Sequence, residues 1–167
     1  MAKWAFKIAT WTPVAVADVT AYTNGGFQAM SGNTATQRYD ISEIYMGGQG
    51  TSSAPMYMVL ARDALVGSST AVSTMAGGNQ SPLDTAATVA ASSVIFTSSV
   101  TPPTRATNGG LLSLSYNGFG GIVRWVAPPG SEIKQLGTAV STGEISLSAF
   151  TGGTPSAMGS HIVYEAF

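Results

Sequence analysis

The chain has 167 residues with seven basic and eight acidic side chains, so 9% of it is charged, whereas an average soluble domain is about one-quarter charged. Its 44% hydrophobic content excludes a disordered chain, and its singly scattered lysines and arginines, at a net charge of −1, exclude a basic patch for nucleic acid. The absence of cysteine excludes disulfides, thiolate metal sites and cysteine nucleophiles.

Period-two alternation of apolar residues, which is typical of strands, begins at the N-terminus. The first predicted strands are 3–10, with Trp4, Phe6 and Ile8 on one side; 38–46, with Tyr39, Ile41 and Tyr45 on one side; and 56–61, apolar enough to be covered on both faces. In the second of these strands, Asp40 and Glu43 lie three residues apart and are expected on opposite faces of the sheet. That expectation argues against a paired-carboxylate catalytic site there.

A different pattern begins at Ser81. The run Ser81-Pro82-Leu83-Asp84 offers an N-cap residue, a proline at the first helical position and an acid in the first turn. It predicts a short helix near 82–91. The alternative is that residues 66–91 form a long excursion from the β domain.

Alternation returns in the second half of the chain. The strands predicted there are 94–97, 111–116, 121–127, 144–150 and 160–166. Residues 117–121 predict a hairpin with a five-residue loop, and Arg124 is expected on the face opposite Trp125. Eight or more short strands separated by glycine-rich turns predict an all-β protein with one domain, 1–167, folded as an antiparallel β-sandwich of jelly-roll type.

Candidate catalytic residues are few. His161 is the only histidine, and its place in an alternating run predicts a sheet-surface or interface residue. The sequence contains no Gly-x-Ser-x-Gly elbow and no calcium-binding loop, and its glycine clusters match neither a P-loop nor a dinucleotide-binding turn. We therefore predict no enzyme activity, no cofactor and no metal; a hydrolase on a β-scaffold is the enzymatic alternative.

The N-terminal segment differs from a secretory signal, because a lysine interrupts its apolar stretch. No apolar run reaches the ~20 residues of a membrane span. We expect a soluble product made in the cytoplasm, with no membrane partner.

The shortage of charge predicts that part of the surface is covered. A free monomer normally displays both signs of charge, so either partners bury much of this surface or the chain belongs to a rigid assembly. Arg105, in a proline-stiffened loop, is either a solvated cation or a contact to an acidic partner. The predicted interface residues are Trp4, Phe6, Arg105, Trp125 and Phe167.

Four runs carry a resemblance to a known class of proteins. They are IYMGGQ at 44–49, MVLARD at 58–63, GGIVRWVAPPG at 120–130 and LSAFTGGTP at 147–155. From about residue 38 to the C-terminus, the chain resembles β-rich head decoration, or cement, proteins of tailed bacteriophages. The resemblance brings no catalytic residue with it.

The resemblance implies a homotrimer on the outer surface of the phage head. There it would clamp neighbouring subunits of the major capsid protein and so stabilise the shell, after being made in the host cytoplasm. Wide, largely uncharged contacts suit this role. The alternative is another virion component, a tail, baseplate or fibre protein that binds host glycans.

Overall fold

Twelve strands make up the regular structure. A computed structural model of the chain describes residues 3–17, 22, 26–31, 36, 38–65, 80–84, 92–96, 103–136 and 144–167. No helix occurs within these ranges, so the predicted all-β class is confirmed. The strands are β1 (Lys3–Trp11), β2 (Ala15–Val16), β3 (Phe27–Ser31), β4 (Arg38–Gln49), β5 (Pro55–Leu65), β6 (Gln80–Pro82), β7 (Ser92–Phe96), β8 (Thr104–Asn117), β9 (Phe119–Val126), β10 (Ile133–Leu136), β11 (Glu144–Phe150) and β12 (Met158–Ala166).

The strands form two sheets of six within the described residues. The first sheet has the order β10–β4–β12–β1–β6, and β9 continues the β10 side of β4, all in antiparallel pairs. The second sheet has the antiparallel order β7–β3–β11–β5–β8, and β2 adds a short parallel pair to β11. In both sheets, strands far apart in sequence are neighbours.

The hydrophobic core lies between the two sheets. Alternate residues of each central strand point inward, which is the pattern that two packed sheets require. The buried side chains include Phe6, Ile8, Ile44, Met46 and Ile162 from the first sheet and Met56, Met58, Leu60, Ile145 and Leu147 from the second. The predicted β-sandwich is therefore confirmed in class, and the jelly-roll connectivity stays a prediction.

A β-bulge at Ser42 changes which residues of β4 face outward. Ile41 and Glu43 pair with successive residues of β12, which leaves Ser42 as the extra residue. Asp40 and Glu43 consequently share the outer face, and Tyr45 is turned outward with 40% of its surface exposed. The predicted opposite faces for the two acids and the inward Tyr45 were wrong, because alternation holds only while the register is unbroken.

Gly118 alone separates β8 from β9 and carries the chain from the second sheet to the first. The predicted hairpin with a five-residue loop was wrong, because β8 pairs with β5 and β9 pairs with β4. Gly118 N donates to Ala54 O, and Gly118 O accepts from Gly50 N, each at 2.8 Å. A Cβ at this position would press on Ser156 Oγ, so a larger residue here would require the Ser156 side chain to move.

Two predictions for the middle of the chain are corrected. Ser81 and Pro82 belong to β6, so the predicted helix does not begin there. Proline is compatible with this strand because β6 forms the edge of its sheet. Residues 85–91, like 66–79, lie outside the described residues. β5 is not covered on both faces: its methionines face the core, and Tyr57 is 39% exposed.

Candidate functional site

Three charged side chains are buried on the second sheet, on the side turned away from the core. Asp63 lies on β5, Arg105 on β8 and Glu144 on β11, and each is at most 2% exposed. Because Ile145 faces the core, alternation places the adjacent Glu144 on the outer side. Charged residues are almost never this buried unless they are partnered. Their contacts therefore define the candidate site, which we call the buried cluster.

A chain of hydroxyl groups connects the two ends of the buried cluster. Arg105 Nη2 donates to Ser148 Oγ at 2.6 Å, and Ser148 Oγ lies 3.5 Å from Tyr22 Oη. Tyr22 Oη and Ser146 Oγ are 2.7 Å apart, and both hydroxyls donate to Asp63 Oδ1, at 3.3 and 2.8 Å. The cation and the carboxylate are thus linked through polar side chains.

Aromatic rings enclose the guanidinium group. Arg105 Cζ lies 5.6 Å from the ring centroid of Tyr22 and 5.3 Å from that of Phe150. The Tyr22 ring stacks in turn on Phe27, with centroids 4.7 Å apart. Arg105 Nε and Nη1 are buried and donate to no atom of the described residues. Ring contacts and one short hydrogen bond therefore hold this cation in place.

Asp63 and Glu144 form a carboxyl pair that shares a proton. Burial raises the pKa of Asp63 to about 7 and the pKa of Glu144 to about 9, and the charge of Asp63 adds to the rise at Glu144. Asp63 Oδ2 and Glu144 Oε1 are buried acceptors without a donor in the described part of the chain. One proton between the two groups satisfies both. The pair as a whole therefore retains a proton at neutral pH, and the negative charge that it gains as pH rises balances Arg105.

The chemistry of the buried cluster is proton sharing and charge compensation inside the fold. Its three charged side chains are at most 2% exposed, so solvent does not reach them. The network joins β5, β8 and β11 to Tyr22 through the hydroxyl groups of Ser146 and Ser148, and so ties these elements together. Among the residues that the structure describes, no three His, Cys, Asp or Glu side chains are grouped so as to hold a metal ion.

The outer side of the first sheet displays most of the exposed charge. Asp18 is the only charged residue outside the described ranges. Of the other fourteen, eight lie on this side, three form the buried cluster, Arg62 is hydrogen-bonded to Gln135 and Lys134 O of β10, and Asp84 and Glu132 lie outside the strands. We define the charged face by Lys3, Lys7, Arg38, Asp40, Glu43, Arg124, Lys134, His161 and Glu165. Its ion pairs are Lys3 Nζ–Glu165 Oε1 at 3.9 Å, Arg38 Nε–Asp40 Oδ1 at 3.1 Å and Arg124 Nε–Glu43 Oε1 at 2.7 Å.

Two groups weighed as catalytic in the sequence, His161 and the Asp40–Glu43 pair, lie on the charged face, and neither forms a catalytic site there. His161 is half-buried between Lys7 and Tyr45 in the strand register. The Arg124 guanidinium holds the pKa of Glu43 below its ordinary value through their hydrogen bond. Arg124 is exposed and Trp125 packs against the core, as predicted.

The outer side of the second sheet has an exposed part without charge, formed by β5, β8 and the end of β11. We call it the Tyr57 face and define it by Tyr57, Val59, Ser113, Ser115 and Phe150. This face has a depression of about 410 Å³ at Val59 and Ser113 and another of about 430 Å³ lined in part by Tyr57. The first is lined by Val59, Arg105, Asn108, Gly110, Ser113 and Phe150, and the second by Ser53, Ala54, Pro55, Tyr57, Ser115, Tyr116 and Asn117.

Strand β9 forms an apolar edge of the first sheet. Within the described residues it pairs only with β4. Phe119, Ile122 and Val126 are 60%, 65% and 51% exposed. An exposed edge with apolar side chains is normally protected, and this one is a candidate contact surface.

The five predicted interface residues occupy unlike places. Phe6 is fully buried in the core and Arg105 is buried in the cluster, so as surface positions both were wrong. Phe6 faces inward because it alternates with Lys7, and Arg105 lies in β8 rather than in a loop. Trp4 and Trp125 are half-buried against the core, and Phe167 is 39% exposed with Arg38 Cζ 4.4 Å from its ring centroid.

Sequence reasoning missed the buried cluster and Tyr57. The alternation of Glu144, Ser146 and Ser148 with apolar residues is typical of a solvent-facing strand, and it carries no sign of a covering layer. Tyr57 lies in a run that predicts full burial. No signal in the sequence marks the cluster, because it depends on β5 and β11 being neighbours, and the local pattern of neither strand encodes that pairing.

None of the described residues forms a helix long and apolar enough to cross a membrane. Comparisons with protein-family models, with curated proteins and with solved structures find no match to this chain.

Proposed function

We propose that this chain is a non-enzymatic head decoration, or cement, protein of a tailed bacteriophage. It binds the outer surface of the head and clamps neighbouring subunits of the major capsid protein. The observation that carries the proposal is the separation of exposed charge between the two outer sides of the sandwich. The charged face suits contact with water. The Tyr57 face suits a protein partner, because interface cores are depleted of charge and enriched in tyrosine.

Self-association as a homotrimer is part of the proposal. The exposed side chains of Phe119, Ile122 and Val126 on edge strand β9 support it, since an edge strand with exposed apolar side chains invites a neighbouring chain and its exposed charge, Arg124, is already paired with Glu43. Three copies joined through β9 cover this edge and keep three Tyr57 faces free. Closed rotational symmetry of this kind limits growth into filaments.

Solution mass and head binding test the proposal together. Light scattering after size exclusion should give a species near three times 17.0 kDa, and this species should co-sediment saturably with heads assembled without the chain. Ile122→Lys should reduce the mass to that of a monomer without lowering the melting temperature. A wild-type monomer that leaves heads undecorated refutes the proposal. Binding to tails instead of heads favours the alternative, a tail, baseplate or fibre component.

A further inference from the structure

We infer that the Tyr57 face is the surface that docks on the shell, and that its occupant is an uncharged protein surface. The inference rests on the proposed function and deepens it, because it names the contacting side of the sandwich and the chemistry of the contact. The charged face then points to solvent. The two sides are distinguished by their exposed residues and not by the fold, which presents a sheet on each.

Tyr57 has the properties of an interface anchor. It is 39% exposed, and a Cβ built on Gly152 or Gly153 would lie 3.7 or 3.4 Å from its ring. The turn at Gly152 and Gly153 therefore lies beside the Tyr57 ring, which is part-exposed. A tyrosine in this position offers a large amphipathic contact area at low entropic cost, which is why tyrosine dominates many recognition surfaces.

The depressions on the Tyr57 face select an uncharged occupant. Hydroxyl and amide groups of Ser113 and Asn108 line one, and those of Ser53 and Asn117 line the other. Arg105 also lines the first depression, but it is 1% exposed and bonded to Ser148. An ionised side chain of a partner would lose its water here without meeting an accessible counter-charge. Neutral polar and apolar side chains fill such depressions without that cost.

The buried cluster lies next to this face and makes it rigid. Phe150 lines the first depression on its surface and contacts the Arg105 guanidinium beneath. The same guanidinium is tied through Ser148 to the hydroxyl chain that reaches Asp63. A surface ordered before binding loses less conformational entropy on docking, which favours affinity. The interior of the second sheet thus supports the same face that lacks exposed charge.

Two tyrosines provide a matched experiment. Tyr57 on one side and Tyr45 on the other are 39% and 40% exposed, each on a strand of its sheet. We would measure co-sedimentation of wild type, Tyr57→Glu and Tyr45→Glu with heads assembled without this chain, after confirming melting temperature and solution mass. Ser113→Glu, which adds the same charge at an exposed position opposite Val59, serves if Tyr57→Glu fails to fold.

We expect Tyr57→Glu to bind heads about 100-fold more weakly than wild type, because it removes an anchor side chain and places a charge in the contact. The affinity of Tyr45→Glu should stay within about threefold of that of wild type. Two results would overturn the inference while leaving the proposed function intact. One is equal affinity for heads of wild type and Tyr57→Glu, and the other is a loss of affinity in Tyr45→Glu alone. If the Tyr57→Glu variant is a monomer while the wild type is not, the Tyr57 face is an interface between copies of this chain, and the inference is also overturned. Heads that bind no wild-type protein refute the proposed function itself.

Discussion

Replacing Glu144 by glutamine should remove much of the pH dependence of stability between pH 5 and pH 8. Glu144 and Asp63 are buried together, and the pKa of each is raised, to about 9 and about 7. The folded state therefore holds their protons more tightly than the unfolded state does. The stability that this provides is fully present below the unfolded pKa values and is lost as pH rises through the folded ones.

The size of the effect follows from the pKa of Glu144. The ordinary value of 4.5 lies just below pH 5, and each of the about 3 pH units from there to pH 8 is worth about 1.4 kcal/mol, so the loss from Glu144 alone is at most about 4 kcal/mol. Because Asp63 shares the proton, the two groups do not lose stability independently. We expect the free energy of unfolding of the wild type to fall by about 2–5 kcal/mol between pH 5 and pH 8.

Urea unfolding at pH 5, 6, 7 and 8 measures this loss. Glu144→Gln keeps a donor toward Asp63 and should flatten the profile, so that the variant is the more stable protein at pH 8. Glu132→Gln is the control, because hydrogen bonds from its own backbone N–H and from that of Gly130 hold the pKa of Glu132 below its ordinary value. The control profile should parallel that of the wild type. Parallel profiles for Glu144→Gln and wild type would refute the shared proton.

Three further changes test the packing of the molecule by urea unfolding, the first two at pH 8, where Asp63 is ionised, and the third at both pH 5 and pH 8. Arg105→Met should lower the free energy of unfolding by about 3–5 kcal/mol because it removes the cation that balances Asp63. An unchanged free energy of unfolding would show that the acid pair needs no counter-charge. Tyr22→Phe should cost about 1–2 kcal/mol through loss of the hydroxyl between Ser146 and Asp63, whereas an unchanged stability would remove that hydroxyl from the network. Trp125→Ala should cost about 2–3 kcal/mol at every pH, since its half-buried ring packs against the core; a pH-dependent cost would contradict this.

The strands were predictable because their apolar residues alternate. The predicted run 144–150 coincides with β11, and residues 3–10 fall within β1. The local alternation of apolar residues is enough to predict these strands, because each of them buries one side against the core. The partners of each strand were not predictable. β4 pairs with β12, more than a hundred residues later in the chain, and no local signal encodes that choice.

Neither the bulge at Ser42 nor the buried cluster can be predicted from the local sequence, and the reasons differ. Ser42 adds one residue to an otherwise regular alternation, and only the ladder with β12 reveals it. Glu144 alternates with core residues as a solvated side chain would. It is buried because of the layer above it, and the Tyr22–Ser146 contact in that layer joins residues 124 positions apart.

The position of the exposed charges on the sandwich says more about function than their small number, because a monomer could also be poor in charge. If low charge were only a matter of composition, the exposed charges would be spread over both outer sides of the sandwich. Instead, among the described residues nine charged or titratable side chains share the charged face, and the three on the outer side of the second sheet are buried. A Tyr57 face that met only water would gain nothing from this separation, since exposed acids and bases would improve its solubility. A face that meets an uncharged protein gains by it, because no side chain of its own then has to be desolvated as an ion.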